Sequence, residues 1–468
     1  MQIYVFEIKR NGETKMITRA TEYKKLEELY KKSGNQLYIL YGRSGCGMEL
    51  LLQLFARDKK CFYYHARNAS AEEQLHQMQR EIEKQYEVNL TRDSYDECFN
   101  RVKSGDASKL VLMIDAFDRI VKKDPHFMES ILKLKARRLY PGPVMILLCH
   151  SSLAWAHKDM ATCLGDAMAK VDEVMKLDDM SFLDVVRAFP EYSVAQCVET
   201  YGIIGGVPDY LNRWNGKKSI KENICNNILR PHGYLFSEAE DFIGSELREL
   251  SVYDTILASI ASGHEKLNDL FMDTGYSRAK ISVYMKNLAA FDVVEKVVSF
   301  ETGGWDNSKK GVYHIRNHFV NFWFTFIYPH LSDLYVMSAE AFYETYIEKE
   351  LDTYLQQYFV SVCTEYLQLL NHVGQVPIKL VKMGTWVGKE GSIDIIGQNA
   401  QRENVVGICS WTEDEFSYGR YEKLLVQMKK AKISANVIYL FSAKKFDAEI
   451  EKLAAEHAEI VLVDMTEL

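Results

Sequence analysis

The sequence predicts an α/β protein: a mostly parallel sheet covered on both faces, then a helical segment, a winged helix-turn-helix and a second α/β unit. Three observations carry this. Leu37-Tyr38-Ile39-Leu40-Tyr41 enters Gly42-Arg43-Ser44-Gly45-Cys46-Gly47 and exits into the helix-like Leu50 to Phe55, the strand, glycine loop and helix order of a phosphate-binding loop. Apolar strand runs then alternate with helical stretches, the pattern of parallel strands joined by crossovers. Further along, three helices precede two strands that flank a polar loop, Glu301 to Lys310.

In chain order, residues 2–8 and 14–18 form a hairpin around Arg10-Asn11-Gly12-Glu13, because Asn-Gly takes the positive φ angles of a tight turn. A helix at Glu22 to Lys32 leads into the loop strand. Cys61 to His65 is a second strand, Ala71 to Tyr86 a helix with a charged face, and Leu110 to Ile114 a buried strand ending in Asp115. Val144 to Cys149 follows the Pro141-Gly142-Pro143 turn, and Gly165 to Leu235 reads as helical without strands. Helices at Ser251 to Ala261, Lys266 to Met272 and Ser277 to Ala290 come next, with strands at Val293 to Phe300 and Gly311 to Ile315. The last part carries strands near Val376 to Val381, Ser392 to Gly397, Val405 to Trp411 and Ala435 to Phe441, with a helix at Tyr421 to Lys432. These spans divide the chain at 1–18, 19–164, 165–245, 246–335 and 336–468.

At 468 residues the chain exceeds what one hydrophobic core organises, so two or three globular domains are expected. The net charge of −8 excludes a surface coated for nonspecific nucleic-acid binding but leaves room for one basic face. Nine scattered cysteines without a CxxC pair read as reduced thiols of a cytoplasmic protein. No stretch reaches transmembrane length, and no His, Cys, Asp and Glu cluster has metal-ligand spacing, so neither a membrane nor a metal site is expected.

The residues resemble the prokaryotic, archaeal-type P-loop ATPases, which join an AAA-like domain and lid, a winged helix and a C-terminal PD-(D/E)XK nuclease-like domain of restriction-endonuclease-like α/β fold. Leu40-Tyr41-Gly42-Arg43 opens the glycine loop, and Tyr201-Gly202-Ile203-Ile204-Gly205-Gly206-Val207-Pro208-Asp209-Tyr210-Leu211 is similar to the lid signature. Phe319-Val320-Asn321-Phe322-Trp323-Phe324-Thr325-Phe326-Ile327-Tyr328-Pro329 resembles the aromatic linker, and Ser392-Ile393-Asp394-Ile395 with Trp411 the nuclease strand. The resemblance implies ATP as ligand at Gly42, Arg43, Ser44, Gly45, Cys46, Gly47, Met48 and Glu49.

The departures fall on the chemistry. Met48 and Glu49 stand where the family has lysine and a hydroxyl, Ala116 follows Asp115 where an acid positions water, and Ile408-Cys409-Ser410 replaces Glu-x-Lys. Glu49 repels each unit of phosphate charge by about 1 kcal/mol at ~4 Å even with water-like screening. Loss of the hydroxyl removes a magnesium ligand, although Glu49, or Asp115 through a water, is a carboxylate that metal could use. Asp115 and Asp394 are therefore remnants, with Glu365 or Glu413 as the acids that could complete the second centre. The leading expectation is a catalytically degenerate ATP-binding or regulatory protein. An active ATPase using Arg43 or a lysine for the missing charge is the alternative. A DNA- or protein-binding adaptor is another, with Arg278, Lys280, Tyr284 and Lys286 on its recognition helix. For Asp115 the bland expectation is a helix cap or a pair with Arg43; for Ser151 and Ser152 a turn or cap; for the aromatic stripe at Trp323 to Tyr328, core.

Overall fold

The computed structural model describes residues 6–10, 13–17, 19–90, 94–102, 108–137, 142–300, 311–388 and 391–466. The Asn11-Gly12 turn, Pro141 and the polar loop 301–310 lie outside the described residues. The chain divides into two compact units, Met1–Asp179 with Val207–Asp209, and Met180–Gly206 with Tyr210–Leu468.

In the first unit, β1 (Phe6–Arg10) pairs antiparallel with β2 (Glu13–Ile17). The main sheet contains β3 (Gln36–Gly42), β4 (Cys61–His65), β5 (Leu110–Asp115), β6 (Val144–His150) and β7 (Glu173–Leu177), in the order β4-β5-β6-β3-β7, all parallel. Successive side chains on a strand point to opposite faces, and each face here has its own core. Tyr38 and Leu40 pack with Leu26, Leu51 and Phe55 on one side; Leu37 and Ile39 pack with Ile82, Phe99 and Phe127 on the other. Two buried faces explain why the central strands read as unbroken apolar runs.

The fifth strand, β7, falls inside the segment expected to be helical, and it extends the sheet beyond the boundary drawn at residue 164. Its sequence is Glu-Val-Met-Lys-Leu, and only Met175 and Leu177 are buried. Val174 packs only partly buried against the other face, and an edge strand so incompletely covered carries too few apolar residues to stand out.

In the second unit, helices Phe182–Ala188, Val194–Ile204 and Ile220–Ile224 each begin with a capping box, from Ser181 and Asp184, Ser193 and Gln196, and Ser219 and Glu222. Each box satisfies two otherwise orphaned N–H groups. The lid and linker phrases meet here as packing partners. A Cβ on Gly202 would lie 2.5 Å from Leu355 Cδ2 and 3.1 Å from Tyr358 Cδ2, so glycine lets helix Leu351–His372 approach Val194–Ile204. Asn321 donates to the Tyr358 hydroxyl at 2.7 Å, Tyr354 donates to the Gly202 carbonyl at 3.2 Å, and His318 Nδ1 donates to the Tyr201 carbonyl at 2.6 Å. Phe322, Trp323, Phe324, Phe326 and Ile327 are all buried, so the aromatic stripe is core.

Helices Leu250–Ala261, Leu267–Thr274 and Arg278–Ala290 precede β8 (Val294–Val298) and β9 (Gly311–Ile315), an antiparallel pair. A mixed sheet follows: β10 (Lys382–Val387), β11 (Ser392–Gln398), β12 (Asn404–Ser410), β14 (Val437–Ser442) and β16 (Ile460–Val463), in that order. A short parallel pair, β13 (Glu415–Phe416) and β15 (Lys445–Phe446), stands apart from it. β10, β11 and β12 are antiparallel, and β12, β14 and β16 parallel. The first of these strands sits at 382–387 rather than the expected 376–381. Val376 and Leu380 are buried there, but Pro377 has no N–H to give a ladder, and the Leu380 backbone is held instead by the Asn371 side chain at 2.8 and 3.0 Å. Beyond β8, Phe300 donates its N–H to the Thr385 carbonyl at 2.8 Å, Ser299 Oγ accepts from Val387 at 2.9 Å, and the Phe300 ring is buried among Ile393, Ile396 and Leu424. Among the described residues, no helix is long and apolar enough to cross a membrane.

Candidate functional site

The glycine loop sits where the sequence places it, between β3 and helix Met48–Ala56. Gly45 and Gly47 have φ of 77° and 81°, a left-handed conformation that side chains with a Cβ rarely adopt. Gly47 is the residue before the helix, so the first-turn amides and the positive end of the helix dipole open at the loop.

The side chains of the loop face elsewhere. Met48 is buried and packs with Leu26, Leu51 and Leu52, so the position of the expected lysine has become core. Glu49 is exposed and accepts from Gln53 one helical turn on, at 3.1 Å. Arg43 is buried, with Nη1 3.7 Å from Asp179 Oδ2. The Cys46 thiol is buried, which pushes its pKa up. Ser44 is exposed.

One cation does reach Gly47, and sequence reading overlooked it. Arg19 is only 4% exposed, and its Nε lies 3.9 Å from where a Cβ on Gly47 would be. Its donors are spent within the fold: Nε and Nη2 donate to the Cys46 carbonyl of the loop at 2.9 and 2.6 Å, Nη2 also to the Asp178 carbonyl at 2.7 Å, and Nη1 to Glu22 at 2.6 Å. Arg19 therefore braces the loop from its carbonyl side. On the loop as well, Asp209 donates its N–H to the Gly45 carbonyl at 3.1 Å, and its Cβ would be 3.2 Å from a Cβ on Gly45.

Asp115 ends β5 and pairs with neither Arg43 nor a helix end. Its Oδ1 accepts from the Ala116 N–H at 2.8 Å; its Oδ2 accepts from the Tyr63 hydroxyl at 3.1 Å and lies 2.8 Å from His65 Nδ1. Tyr63 and His65 share one face of β4, and His65 stands directly beside Asp115 in the strand register. Burial, then the Asp115 charge, raises the Tyr63 pKa. The adjacent strand ends already carried this signal in the sequence, because parallel neighbours bring their C-terminal residues together.

At the end of β6, His150 is fully buried and stacks on Tyr41 at 5.6 Å, with Phe117 and Trp155 edge-on. Burial lowers its pKa to about 4, so it is a neutral core ring. Ser152 caps helix Leu153–Lys158 by accepting from Trp155 N–H at 3.2 Å.

In the second unit, Arg278 and Lys286 are exposed on a helix that has no acidic residue. Arg278 lies over the Phe271 ring at 4.1 Å and bonds Asn268, Lys280 lies over Tyr276 at 4.2 Å, and the Tyr284 hydroxyl bonds Glu249. The Glu249 contact, then burial, lifts the Tyr284 pKa to about 12.

Asp394, on β11, accepts from the Cys409 N–H at 2.9 Å, and burial raises its pKa while that bond and the Arg420 charge oppose the rise. Arg420 donates to Glu413 at 2.8 Å and to the Cys409 carbonyl at 2.5 Å, so a guanidinium stands between the two acids. Glu365 is turned away: it accepts from the Tyr201 hydroxyl at 2.7 Å and the Phe182 N–H at 2.8 Å. No group of three His, Cys, Asp or Glu able to hold a metal occurs among the described residues. Removing a partner from a largely desolvated ion pair leaves an uncompensated charge. Arg420→Met is therefore expected to cost about 2 kcal/mol, reduced from the fully buried case because Glu413 is 39% exposed. A urea midpoint equal to wild type would refute this.

A five-stranded parallel sheet with a glycine loop between an inner strand and a helix resembles the P-loop ATPase architecture. Residues 323–431 match DUF234, described as archaea bacterial proteins of unknown function. The chain is 24% identical over 383 residues to Uncharacterized protein MJECL04 of Methanocaldococcus jannaschii, covering 82% of this chain and 84% of that one. Among solved structures it is similar to the Walker-type ATPase PABY2304 of Pyrococcus abyssi, with 18% identity, a TM-score of 0.45, and coverage of 65% of this chain and 95% of that one. The ORC2 protein of Aeropyrum pernix, in ADPNP and ADP complexes, has 10% identity and a TM-score of 0.44, covering 68% of this chain and 94% of that one.

Proposed function

We propose that this chain is a P-loop protein that binds ATP or its product without useful turnover and acts as a regulator. Its three-helix and hairpin segment serves as a winged helix, and its C-terminal mixed sheet as a PD-(D/E)XK nuclease-like domain without nuclease chemistry. One observation carries the reading: the chain's own side chains occupy the catalytic positions. Met48 lies in the core, Tyr63 and His65 hold Asp115, and Arg420 stands between Asp394 and Glu413. Phosphoryl transfer depends on positioned positive charge and metal at the terminal phosphates. The loop supplies amides for phosphate, while its inherited cation position is apolar. Labelled ATP with magnesium is expected to bind without phosphate release above background; turnover abolished by Asp115→Ala would overturn the reading.

The partner reading favours DNA at the exposed Arg278 and Lys286 with Lys280, and the acid-free helix supports it. Three phosphate contacts would give a log–log salt slope of about −2.7 on duplex DNA. A protein partner is the second reading, favoured by Val283 and Met272, which are 57% and 72% exposed in the same segment. Binding to duplex DNA that Arg278→Ala with Lys280→Ala leaves unchanged would decide for the protein.

A further inference from the structure

A P-loop fold implies magnesium, held by a hydroxyl on the first helical turn and, through water, by the carboxylate at the end of a neighbouring strand. The donors present do not fit that ion. Glu49 replaces the hydroxyl and is tied to Gln53. Asp115 has about four lone-pair sites on its two oxygens, and three are met from within the fold, by Ala116 N–H, Tyr63 hydroxyl and His65 Nδ1, at 2.8 to 3.1 Å. Ala116 holds φ of 52°, a conformation costing a residue with a Cβ roughly 1–2 kcal/mol. That turn aims its N–H at the carboxylate. Magnesium demands near-ideal octahedral geometry and parts with its water reluctantly, so it must compete with these three contacts for the carboxylate.

We propose that the glycine loop binds its nucleotide as the metal-free anion, with the donors on Asp115 filling the place of the divalent ion. The inference rests on the nucleotide-binding reading above and says how that site is regulated: magnesium adds no affinity and, by sequestering the free anion, opposes nucleotide binding. A diphosphate suits it better than a triphosphate, because amides at the helix start serve the inner phosphates while Glu49 repels the terminal one.

The test is calorimetric titration of the full chain with ADP and with ATP, in EDTA and in millimolar magnesium. ADP is expected to bind at least as tightly as ATP, and both apparent dissociation constants are expected to rise in magnesium, that of ATP more, because the metal competes with the protein for the free nucleotide. ATP affinity unchanged or rising with magnesium would overturn the inference while leaving nucleotide binding intact. So would a manganese resonance signal from a ternary complex with protein and ATP. Heat from neither nucleotide under either condition would sink the nucleotide reading itself. A Tyr63→Phe, His65→Phe variant, checked for folding by circular dichroism, is expected to bind ATP more tightly in magnesium than in EDTA as Asp115 is released.

Discussion

Gly206→Ala is expected to lower the unfolding temperature of the second unit by about 10 °C, from a loss of about 4 kcal/mol. The reason is a backbone contact with no rotamer to relieve it. A Cβ on Gly206 would lie 1.8 Å from the Met180 carbonyl oxygen and 2.7 and 2.8 Å from that residue's C and N. Met180 also donates its N–H to the Gly206 carbonyl at 2.8 Å, so separating the strands of chain to admit a methyl breaks that bond. Gly419→Ala is the control: nothing lies within 4 Å of its Cβ position, in the first turn of helix Tyr418–Ala431, and a change of no more than about 0.5 kcal/mol is expected there. Scanning calorimetry of both variants decides it, and a Gly206→Ala transition within a degree or two of wild type would refute the argument.

Glu199→Gln is expected to remove a pH dependence of stability. Glu199 lies on helix Val194–Ile204, and burial, with Asp352 of helix Leu351–His372 second, raises its pKa to about 7. Tyr343 also faces it, and its own pKa is raised to about 12 by burial. A carboxyl whose folded pKa is raised binds its proton more tightly in the folded state. Its stabilising contribution is therefore full below the unfolded value near 4.5 and is lost as pH rises through 7. The linkage ceiling is about 3 kcal/mol, and partial exposure brings the expected loss to about 2 kcal/mol. Urea unfolding at about pH 5 and about pH 8 tests this. The glutamine variant should match wild type at the lower pH and exceed it at the higher, and parallel curves for the two proteins would refute it.

Which parts were legible follows from what each residue faces. β3, β5 and β6 announced themselves because both of their faces are covered, whereas β7, at the sheet edge, buries Met175 and Leu177 on one face and covers Val174 only in part on the other. The glycine loop was readable because left-handed backbone at Gly45 and Gly47 restricts residue type locally. Arg19 and Asp209 were not, because they reach the loop through tertiary packing that no local pattern encodes, whereas Tyr63 and His65 stand on the strand beside Asp115. Asp394 was found from its strand, but Arg420 arrives from a helix ten residues beyond β12, a distance at which spacing alone says nothing about direction.

The bonds from Ser299 and Phe300 to β10 bear on how the gene can be dissected. A cut near residue 335, the boundary drawn from the sequence, would separate a phenylalanine from its socket and strip hydrogen-bond partners from an edge strand. Bare edges recruit other chains. Fragments divided there would be prone to aggregate alone and to recover solubility when expressed together, so the smallest practical truncation keeps hairpin and sheet on one polypeptide.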